Sequence, residues 1–354
     1  MIVIMRKFYS TVTVLVVLFS AIYANAQTVD VVTGVIGPWE ILVNGADLYI
    51  SEHDGNTISK IDINDPNPVA INVITGVTWP NGLVLIGDDL YFAENGGVKI
   101  FKIDITDPNP VLEEVVTGLE APDDLVLVGN DLYITENTGS SISKIDVTDP
   151  NPSIVAVVDG ITWPTGIALY GDDLYIGEFS GSKISKITIT DPNPVISDVL
   201  TGLNSPTGLV IYENELYFSE FAANRISKLD LTDPTATPVL IATGVINPAL
   251  MALDEDILYI AEYGANKVSK IDLSTLGIND FSTSEVKLYP NPSNNCISMI
   301  GLADVTYYSI YSVSGVKIQT GMVGVDQIID IQPLASGLYL IQFDGGNVLK
   351  FLKE

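Results

Sequence analysis

Three side chains with oxygen ligands stand at neighbouring positions of a repeated pattern. Asn81 and Asp123 each follow a proline directly, and Glu40 stands two residues after the equivalent proline. Carboxylate and amide oxygens are the hard ligands that Ca²⁺ prefers in proteins. If the repeats form a ring, these residues lie side by side at one mouth of its channel. We therefore expect a Ca²⁺ site at Glu40, Asn81 and Asp123; exposed polar turn residues are the alternative interpretation.

Asp123 is also the residue best suited to acid–base chemistry. A carboxylate beside a bound metal ion can take a proton from water, so Asp123 is the base if the protein hydrolyses a lactone or an ester. His53 is the only histidine. No serine or cysteine stands at a spacing that would build a catalytic triad with it. Apart from Asp123 in this hydrolase interpretation, we expect no catalytic residue.

Trp39, Trp79 and Trp163 stand at or beside the same repeated prolines. Aromatic rings at a concave polar surface can stack on sugars or peptides, and they can equally pack between repeats. Both interpretations stay open at this point. His53 belongs with the tryptophans, because it follows a repeated glutamate at a position that varies between repeats. The predicted ligand-binding residues are Trp39, Trp79, Trp163 and His53.

The repeated glutamates recur every 42 residues, at Glu52, Glu94, Glu136, Glu178, Glu220 and Glu262. Strand alternation places Glu52 on the same buried face as Leu48 and Ile50. A buried carboxylate must be hydrogen-bonded, so we expect each glutamate to accept backbone N–H groups from nearby loops. Six identical placements favour a structural role over a functional ring of carboxylates, which is the alternative.

The elements that carry these residues follow from internal repetition. A Leu-Tyr pair recurs at the same 42-residue step, at Leu48, Leu90, Leu132, Leu174, Leu216 and Leu258. Each unit contains four short segments rich in β-branched and aromatic residues, separated by glycine, asparagine and proline turns. A four-stranded unit of about 40 residues, repeated six times, is typical of a β-propeller. The sequence therefore predicts an all-β, six-bladed propeller.

The two ends of the repeat array predict how the ring closes. The array begins with Val29–Thr33, the equivalent of a fourth strand, and the sixth unit stops after its third strand. An unpaired edge strand is a liability that folds cover. We therefore expect the N-terminal strand to complete the last blade.

Motifs of the second unit resemble the repeats of NHL-type six-bladed propellers. The matching runs are Pro80-Asn81-Gly82-Leu83-Val84, Leu90-Tyr91-Phe92-Ala93-Glu94 and Ile100-Phe101-Lys102-Ile103-Asp104. The turns Pro80-Asn81-Gly82 and Pro122-Asp123-Asp124 are also similar to metal-site turns of the gluconolactonase–regucalcin family. That second resemblance implies a metal-dependent lactonase with a divalent ion at the channel mouth. Propellers host many unrelated activities, so fold alone implies no function.

The C-terminal segment has a different composition and three landmarks of its own, at residues 288–293, 308–315 and 334–341. Short alternating strands and turns predict a small β-sandwich. The landmarks resemble, in order and spacing, the type A C-terminal sorting domain of the type IX secretion system of Bacteroidetes. This resemblance implies handling by the type IX machinery, then release or attachment to surface lipopolysaccharide. An ordinary carbohydrate-binding sandwich is the alternative.

The N-terminus reads as an export signal. Arg6 and Lys7 precede an apolar run that ends in Ala24-Asn25-Ala26, which is the pattern of a cleaved signal peptide; a membrane anchor is the alternative. The expected domains are a signal peptide at residues 1–26, the propeller at 27–276, a linker at 277–286 and the sorting domain at 287–354. We expect no transmembrane segment in the mature chain.

Charge excludes one class of partner. The net charge is −28, and residues 28–284 alone hold 38 acidic and 10 basic side chains. Such a surface repels phosphate backbones, so we expect no nucleic-acid binding. The function expected from the sequence is a secreted or cell-surface module that binds an extracellular protein, peptide or glycan without catalysis, and no cofactor beyond possible Ca²⁺ is implied. The alternative is the metal-dependent lactonase.

Overall fold

The computed structural model describes residues 26–275, 287–300, 306–312, 316–323, 328–343 and 348–354. The chain divides into two compact units, residues 1–274 and 275–354. The expected signal peptide, except for Ala26, and the whole of the expected linker at 277–286 lie outside the described residues.

The first unit consists of six four-stranded antiparallel sheets, the blades. The innermost strands are β2 (Pro38–Asn44), β6 (Pro80–Ile86), β10 (Pro122–Val128), β14 (Pro164–Tyr170), β18 (Pro206–Tyr212) and β22 (Pro248–Asp254). The second strands are β3 (Asp47–Glu52), β7 (Asp89–Glu94), β11 (Asp131–Glu136), β15 (Asp173–Glu178), β19 (Glu215–Glu220) and β23 (Ile257–Glu262). The third strands are β4 (Thr57–Asp62), β8 (Lys99–Asp104), β12 (Ser141–Asp146), β16 (Lys183–Thr188), β20 (Arg225–Asp230) and β24 (Lys267–Asp272). The outer strands are β1 (Val29–Thr33), β5 (Ile71–Thr75), β9 (Glu113–Thr117), β13 (Val155–Asp159), β17 (Ser197–Thr201) and β21 (Val239–Thr243).

The blades close into a ring. Each innermost strand contacts the innermost strand of the next blade, and β2 of blade 1 contacts β22 of blade 6. The N-terminal strand β1 pairs with β24 as the outer strand of blade 6. An ion pair of 2.5 Å between Lys267 Nζ and Asp30 Oδ1 joins the two strands. The predicted six-bladed propeller and its closing strand are confirmed.

The repeated residues build the core between blades. All six leucines of the Leu-Tyr pairs are fully buried. In blade 1 the Lys60 ammonium lies over the Tyr49 ring, at 5.6 Å from its centroid, and forms an ion pair with Asp47. Blades 2 to 5 repeat this arrangement. Ile257 stands at the position of the acid in blade 6.

The repeated glutamates are structural. Each carboxylate accepts the backbone N–H of the residue sixteen positions earlier, at 2.6–2.9 Å, which ties the loop before a blade to that blade's second strand. In blade 5, Glu220 also holds Arg225 through two hydrogen bonds. The expected backbone contacts of these buried carboxylates are confirmed.

Short 3₁₀ turns follow two second strands and the last third strand, at Phe221–Ala223, Tyr263–Ala265 and Leu273–Thr275. Within the described ranges, no helix is long and apolar enough to cross a membrane.

The second unit is a small sandwich. Its strands are β25 (Lys287–Tyr289), β26 (Cys296–Ile300), β27 (Thr306–Ser312), β28 (Lys317–Val323), β29 (Ile328–Asp330), β30 (Gly337–Phe343) and β31 (Val348–Lys353). They form a three-stranded sheet, β25-β26-β29, and a four-stranded sheet, β28-β27-β30-β31. Ile297, Ile310, Ile341 and Phe351 from the two sheets share one buried core. The predicted C-terminal β-sandwich agrees with this arrangement.

Candidate functional site

A β-bulge aims the variable residues at one mouth of the channel. In blade 2, Pro80 pairs with Glu94, but the next paired residue is Leu83, opposite Phe92. The two residues between them, Asn81 and Gly82, leave the regular ladder. Blades 3 to 6 show the same jump after their prolines, and blade 1 a shorter one. A bulge turns side chains away from the strict alternation of a strand.

Asp123 is the centre of a hydrogen-bond network that joins three blades. Its Oδ1 accepts the indole Nε1–H of Trp39 at 2.8 Å, and its Oδ2 accepts Nδ2–H of Asn137 at 2.6 Å. Asn81 donates to the same carboxylate. Asp123 is 1% exposed. Burial raises its pKa to about 6, against the three hydrogen bonds, which favour the ionised form.

His53 extends this network towards solvent. Its Nδ1 lies 2.7 Å from Oδ1 of Asn81, and its Nε2 lies 4.0 Å from Asp54. Because the Asn81 amide donates to Asp123, its oxygen is left to accept the proton on Nδ1 of His53. Asp54 also accepts the hydroxyl proton of Tyr263 at 2.8 Å. The Trp79 ring stacks on His53, with ring centroids 5.5 Å apart.

Glu40 and Asp124 form a hydrogen-bonded pair of buried carboxyls from blades 1 and 3. Asp124 accepts backbone N–H groups from Leu125 at 2.7 Å and from Ile167 of blade 4 at 2.9 Å. Glu40 accepts the N–H of Ile41 at 2.9 Å. Burial, followed by the charge of Asp124, raises the pKa of Glu40 well above its usual value, and burial raises that of Asp124 to about 7. When the pair holds one proton, Glu40 is the donor of the hydrogen bond between the two carboxyls and Asp124 the acceptor.

Gly82 lets blade 3 approach blade 2 closely at this place. A Cβ at Gly82 would lie 2.6 Å from the backbone oxygen of Asp123 and 2.7 Å from Cα of Asp124. Glycine also occupies this repeat position in blades 4 and 5, again against the next blade's backbone. The absence of a side chain at Gly82 thus fixes where the backbone carrying Asp123 and Asp124 lies.

Six aromatic rings run in a continuous row around the mouth, which we call the aromatic arc. In order they are Trp79, His53, Trp39, Tyr263, Phe221 and Phe179, from blades 2, 1, 1, 6, 5 and 4. Neighbouring ring centroids are 5.5–5.8 Å apart. Each ring is partly exposed, and Trp79 is the most open at 48%. The remaining sector of the mouth, in blades 2 and 3, is polar and contains Asn95, Asp123 and Asn137.

The predicted ligand-binding residues do not all come together. Trp39, Trp79 and His53 are in contact within the arc. Trp163 belongs to blade 4, where its backbone oxygen accepts the N–H of Phe179, and its side chain is 44% exposed. It makes none of the ring contacts found among the described residues, so it flanks the far end of the arc.

The predicted metal ligands are close together, but their oxygens face protein donors. Asp123 accepts three hydrogen bonds, the Asn81 oxygen faces His53, and Glu40 is bonded to Asp124. Ca²⁺ takes about six to eight oxygen ligands. In the part of the chain that the structure describes, no group of three or more histidine, cysteine, aspartate or glutamate side chains is placed to hold a metal ion. The residues as arranged do not fit Ca²⁺, and its binding here stays a prediction.

Three features of the site were missed by sequence reasoning. These are the bond from Trp39 to Asp123, the role of Asn137, and the pairing of Glu40 with Asp124. A signal was present for the pairing of Glu40 with Asp124, because acidic residues stand at these two positions where three of the other four units have glycine. No signal links Trp39 to Asp123, which are 84 residues apart.

Comparison with solved structures identifies the class of fold of the first unit. A propeller-like fold is shared with a streptogramin B lyase (21% identity, TM-score 0.54, covering 70% of this chain and 98% of that one). A putative gluconolactonase (12%, 0.60, covering 70% and 92%) and a chain of a nidogen/laminin complex (15%, 0.56, covering 65% and 90%) are also similar. These identities are low, so the likeness concerns the fold alone. No curated protein is significantly similar in sequence.

The C-terminal domain is identified more specifically. Residues 287–353 match the model of the secretion system C-terminal sorting domain. The chain is thus a β-propeller protein that ends in a type IX sorting domain. This domain indicates secretion or attachment to the cell surface.

Proposed function

We propose that the propeller is a non-enzymatic binding module that holds a glycan at the channel mouth. The observation that carries this proposal is the aromatic arc beside a polar sector of amides and a carboxylate. Aromatic faces stack on the apolar faces of sugar rings, and convergent polar groups fix orientation. Extracellular proteins and peptides are the other ligands that such a surface could bind.

Backbone strain supports a binding role for two tryptophans. Trp79 and Trp163 have φ of 53° and 54°, in the left-handed region. This conformation costs a residue with a Cβ about 1–2 kcal/mol, and bulky residues rarely adopt it. Both side chains are also about half exposed, so burial does not offset the cost. A large ring that is kept at a strained and half-exposed position favours a role in ligand binding over a role in stability.

The repeat lengths favour binding over catalysis. All six units keep the same 42-residue step, so no loop is extended to cover the mouth. An enzyme site commonly needs closure to exclude water. An open mouth suits an extended ligand that lies across several blades.

A glycan array with the mature chain tests the proposal, followed by affinity measurements on Trp79→Gly and Trp163→Gly. Removing one stacking ring is expected to weaken binding by about 5-fold or more, from about 1 kcal/mol or more per aromatic contact. The melting temperature should not fall, because glycine relieves the left-handed strain.

The matched control for these variants is Ala121→Gly. Ala121 has φ 56° at the same repeat position in blade 3. This variant should match the tryptophan variants in stability while it keeps native affinity. Unchanged glycan binding in both tryptophan variants would contradict the proposal.

A metal-dependent lactonase or esterase is the second candidate function. The pKa of Asp123 near 6 is the observation that favours it, because a general base works best with a pKa near the operating pH. A lactonase and esterase screen with Ca²⁺, Zn²⁺ and Mn²⁺ separates the two functions. Turnover that is lost in Asp123→Asn would establish the enzyme; no turnover with any metal would leave the binding module.

We also propose the domain limits and the export route. Residues 1–26 would be a signal peptide removed on export, 27–276 the propeller, 277–286 a linker and 287–354 the sorting domain. The type IX machinery of a Bacteroidetes-type cell would then release the chain or attach it to surface lipopolysaccharide. Mass spectrometry of the exported protein tests both termini.

A further inference from the structure

Asn137 holds a buried carbonyl for which the protein supplies no donor. The residue is 6% exposed, and its Oδ1 has no hydrogen-bond partner. The amide cannot be turned around, because its Nδ2 donates to the ionised Asp123. Five other buried side-chain oxygens in the described ranges lack a hydrogen-bond partner, but all belong to repeated serine and glutamate positions, and the two glutamate oxygens face lysines at 3.4 Å. Asn137 alone among them stands at a position that varies between blades.

Asp123, beside Asn137, retains acceptor capacity. An ionised carboxylate has about four acceptor sites. Trp39, Asn137 and Asn81 use three of them. The free groups here are therefore acceptors, and a ligand that completes them must bring donors. They are too few for the oxygen shell of Ca²⁺, but they suit an ammonium group with three N–H donors.

The charge around the mouth favours a cationic donor. All ten basic side chains of residues 28–284 lie on the third strands of the blades, away from the channel. Asp54 and Asp123 are at the mouth, and the net charge of the chain is −28. Such a surface raises the local concentration of cations. The Trp39 ring next to Asp123 adds an aromatic face, which also attracts cations.

We infer that the glycan bound at the mouth carries a free protonated amine, which donates to Asn137 Oδ1 and Asp123 while its sugar ring stacks on the aromatic arc. This inference rests on the proposed function and specifies its ligand class as an amino sugar. A lysine-containing peptide shares the ammonium group but lacks a sugar ring for the arc. A neutral sugar provides hydrogen-bond donors without charge. In an N-acetylated sugar the amine is an amide, which carries no charge.

Three β-1,4-linked hexasaccharides test the inference, since they differ only at C2. Glucose carries a hydroxyl, N-acetylglucosamine an amide and glucosamine an amine. Calorimetry uses the full mature chain, with chelator present, at a pH that keeps the amine protonated. We expect the glucosamine hexamer to bind about 10-fold or more tightly than the other two, which corresponds to one charged hydrogen bond.

Variants distinguish this contact from general attraction of a polycation to an acidic protein. Asp123→Asn should remove the preference for the amine, so that the glucosamine and glucose hexamers bind with similar affinity. The control Asp131→Asn removes the same charge, but at the other end of blade 3, where Asp131 pairs with Lys144 at 2.7 Å. It should keep the preference within about 2-fold, as expected for an exposed ion pair.

The outcomes separate the inference from the function it rests on. Equal affinity for the three hexamers would overturn the amine inference and leave glycan binding intact. An amine preference that survives Asp123→Asn would show general attraction only and would also overturn it. Binding of a lysine peptide with no hexamer bound would overturn both. If Asp123→Asn fails to fold, Asn137→Ala takes its place, because it removes the unpartnered Oδ1; an amine preference that this variant leaves unchanged would overturn the inference.

Discussion

Replacing Glu40 with glutamine is expected to leave the propeller at least as stable as the native protein at neutral pH. The native Glu40 donates a proton to Asp124 and accepts the N–H of Ile41. A glutamine amide reproduces both contacts, because its NH₂ group donates and its carbonyl accepts. The amide does so at every pH, whereas the Glu40 carboxyl can donate only while it is protonated.

The size of the effect follows from proton linkage. The pKa of Glu40 is raised well above 4.5 in the folded state by burial and by Asp124. The folded protein therefore keeps a proton that the unfolded chain loses above about pH 4.5. The stabilisation of the folded state that this proton provides is fully present below about pH 4.5. As the pH rises, it falls by about 1.4 kcal/mol per pH unit until the pH passes the pKa that Glu40 has in the folded protein. Within that window each pH unit costs the native protein about 1.4 kcal/mol that Glu40→Gln retains.

Urea unfolding between about pH 5 and pH 8, with chelator present, measures this difference. Tryptophan emission reports the propeller alone, because all three tryptophans lie in it. Glu220→Gln is the control: Glu220 accepts from Arg225 Nε–H at 2.6 Å, from Arg225 Nη2–H at 2.9 Å and from the Asn204 backbone N–H at 2.9 Å. These groups can only donate, so an amide NH₂ there would face a donor and cost about 1–3 kcal/mol. Equal losses in both variants, or an unchanged pH slope in Glu40→Gln, would refute the reasoning.

Three further predictions concern the closure of the ring and the mouth. Gly82→Ala is expected to lose about 2 kcal/mol and to shift tryptophan emission, because its Cβ would meet the backbone of Asp123 at 2.6 Å; unchanged urea unfolding would contradict this. Val32→Pro should cost about 3 kcal/mol or more by breaking the pairing of β1 with β24, while Asp30→Asn at the ion pair should cost about 1 kcal/mol or less; equal losses would show that β1 does not close the ring. Calcium titration is expected to leave the melting temperature unchanged, because the oxygens of Glu40, Asn81 and Asp123 have protein partners; a rise that is lost in Asp123→Asn would establish the calcium site.

The fold could be predicted from sequence because it depends on residues that repeat. The leucine of the Leu-Tyr pair is fully buried in every blade, so the same core position recurs six times. The closing strand Val29–Thr33 was predictable from the missing fourth strand of the last unit. The loop contacts of Glu52 and its equivalents followed from the need to satisfy a buried carboxylate.

The site could be predicted only in part, because it depends on residues that do not repeat. The variable positions were placed at the mouth, and Trp39, Trp79 and His53 do meet there. Which side chains bond to each other depends on the bulge after each proline, which strand alternation does not describe. Glu40 was therefore grouped with Asp123, although its carboxyl bonds to Asp124.

The most direct test of the account is tryptophan emission during titration with the best glycan from the array. Because Trp39, Trp79 and Trp163 all lie at the mouth, a ligand bound there must change their emission. The account predicts a saturable change in the native chain, at the affinity found by calorimetry, and a weaker affinity in Trp79→Gly. Tight glycan binding that leaves both the emission and the Trp79→Gly affinity unchanged would contradict it.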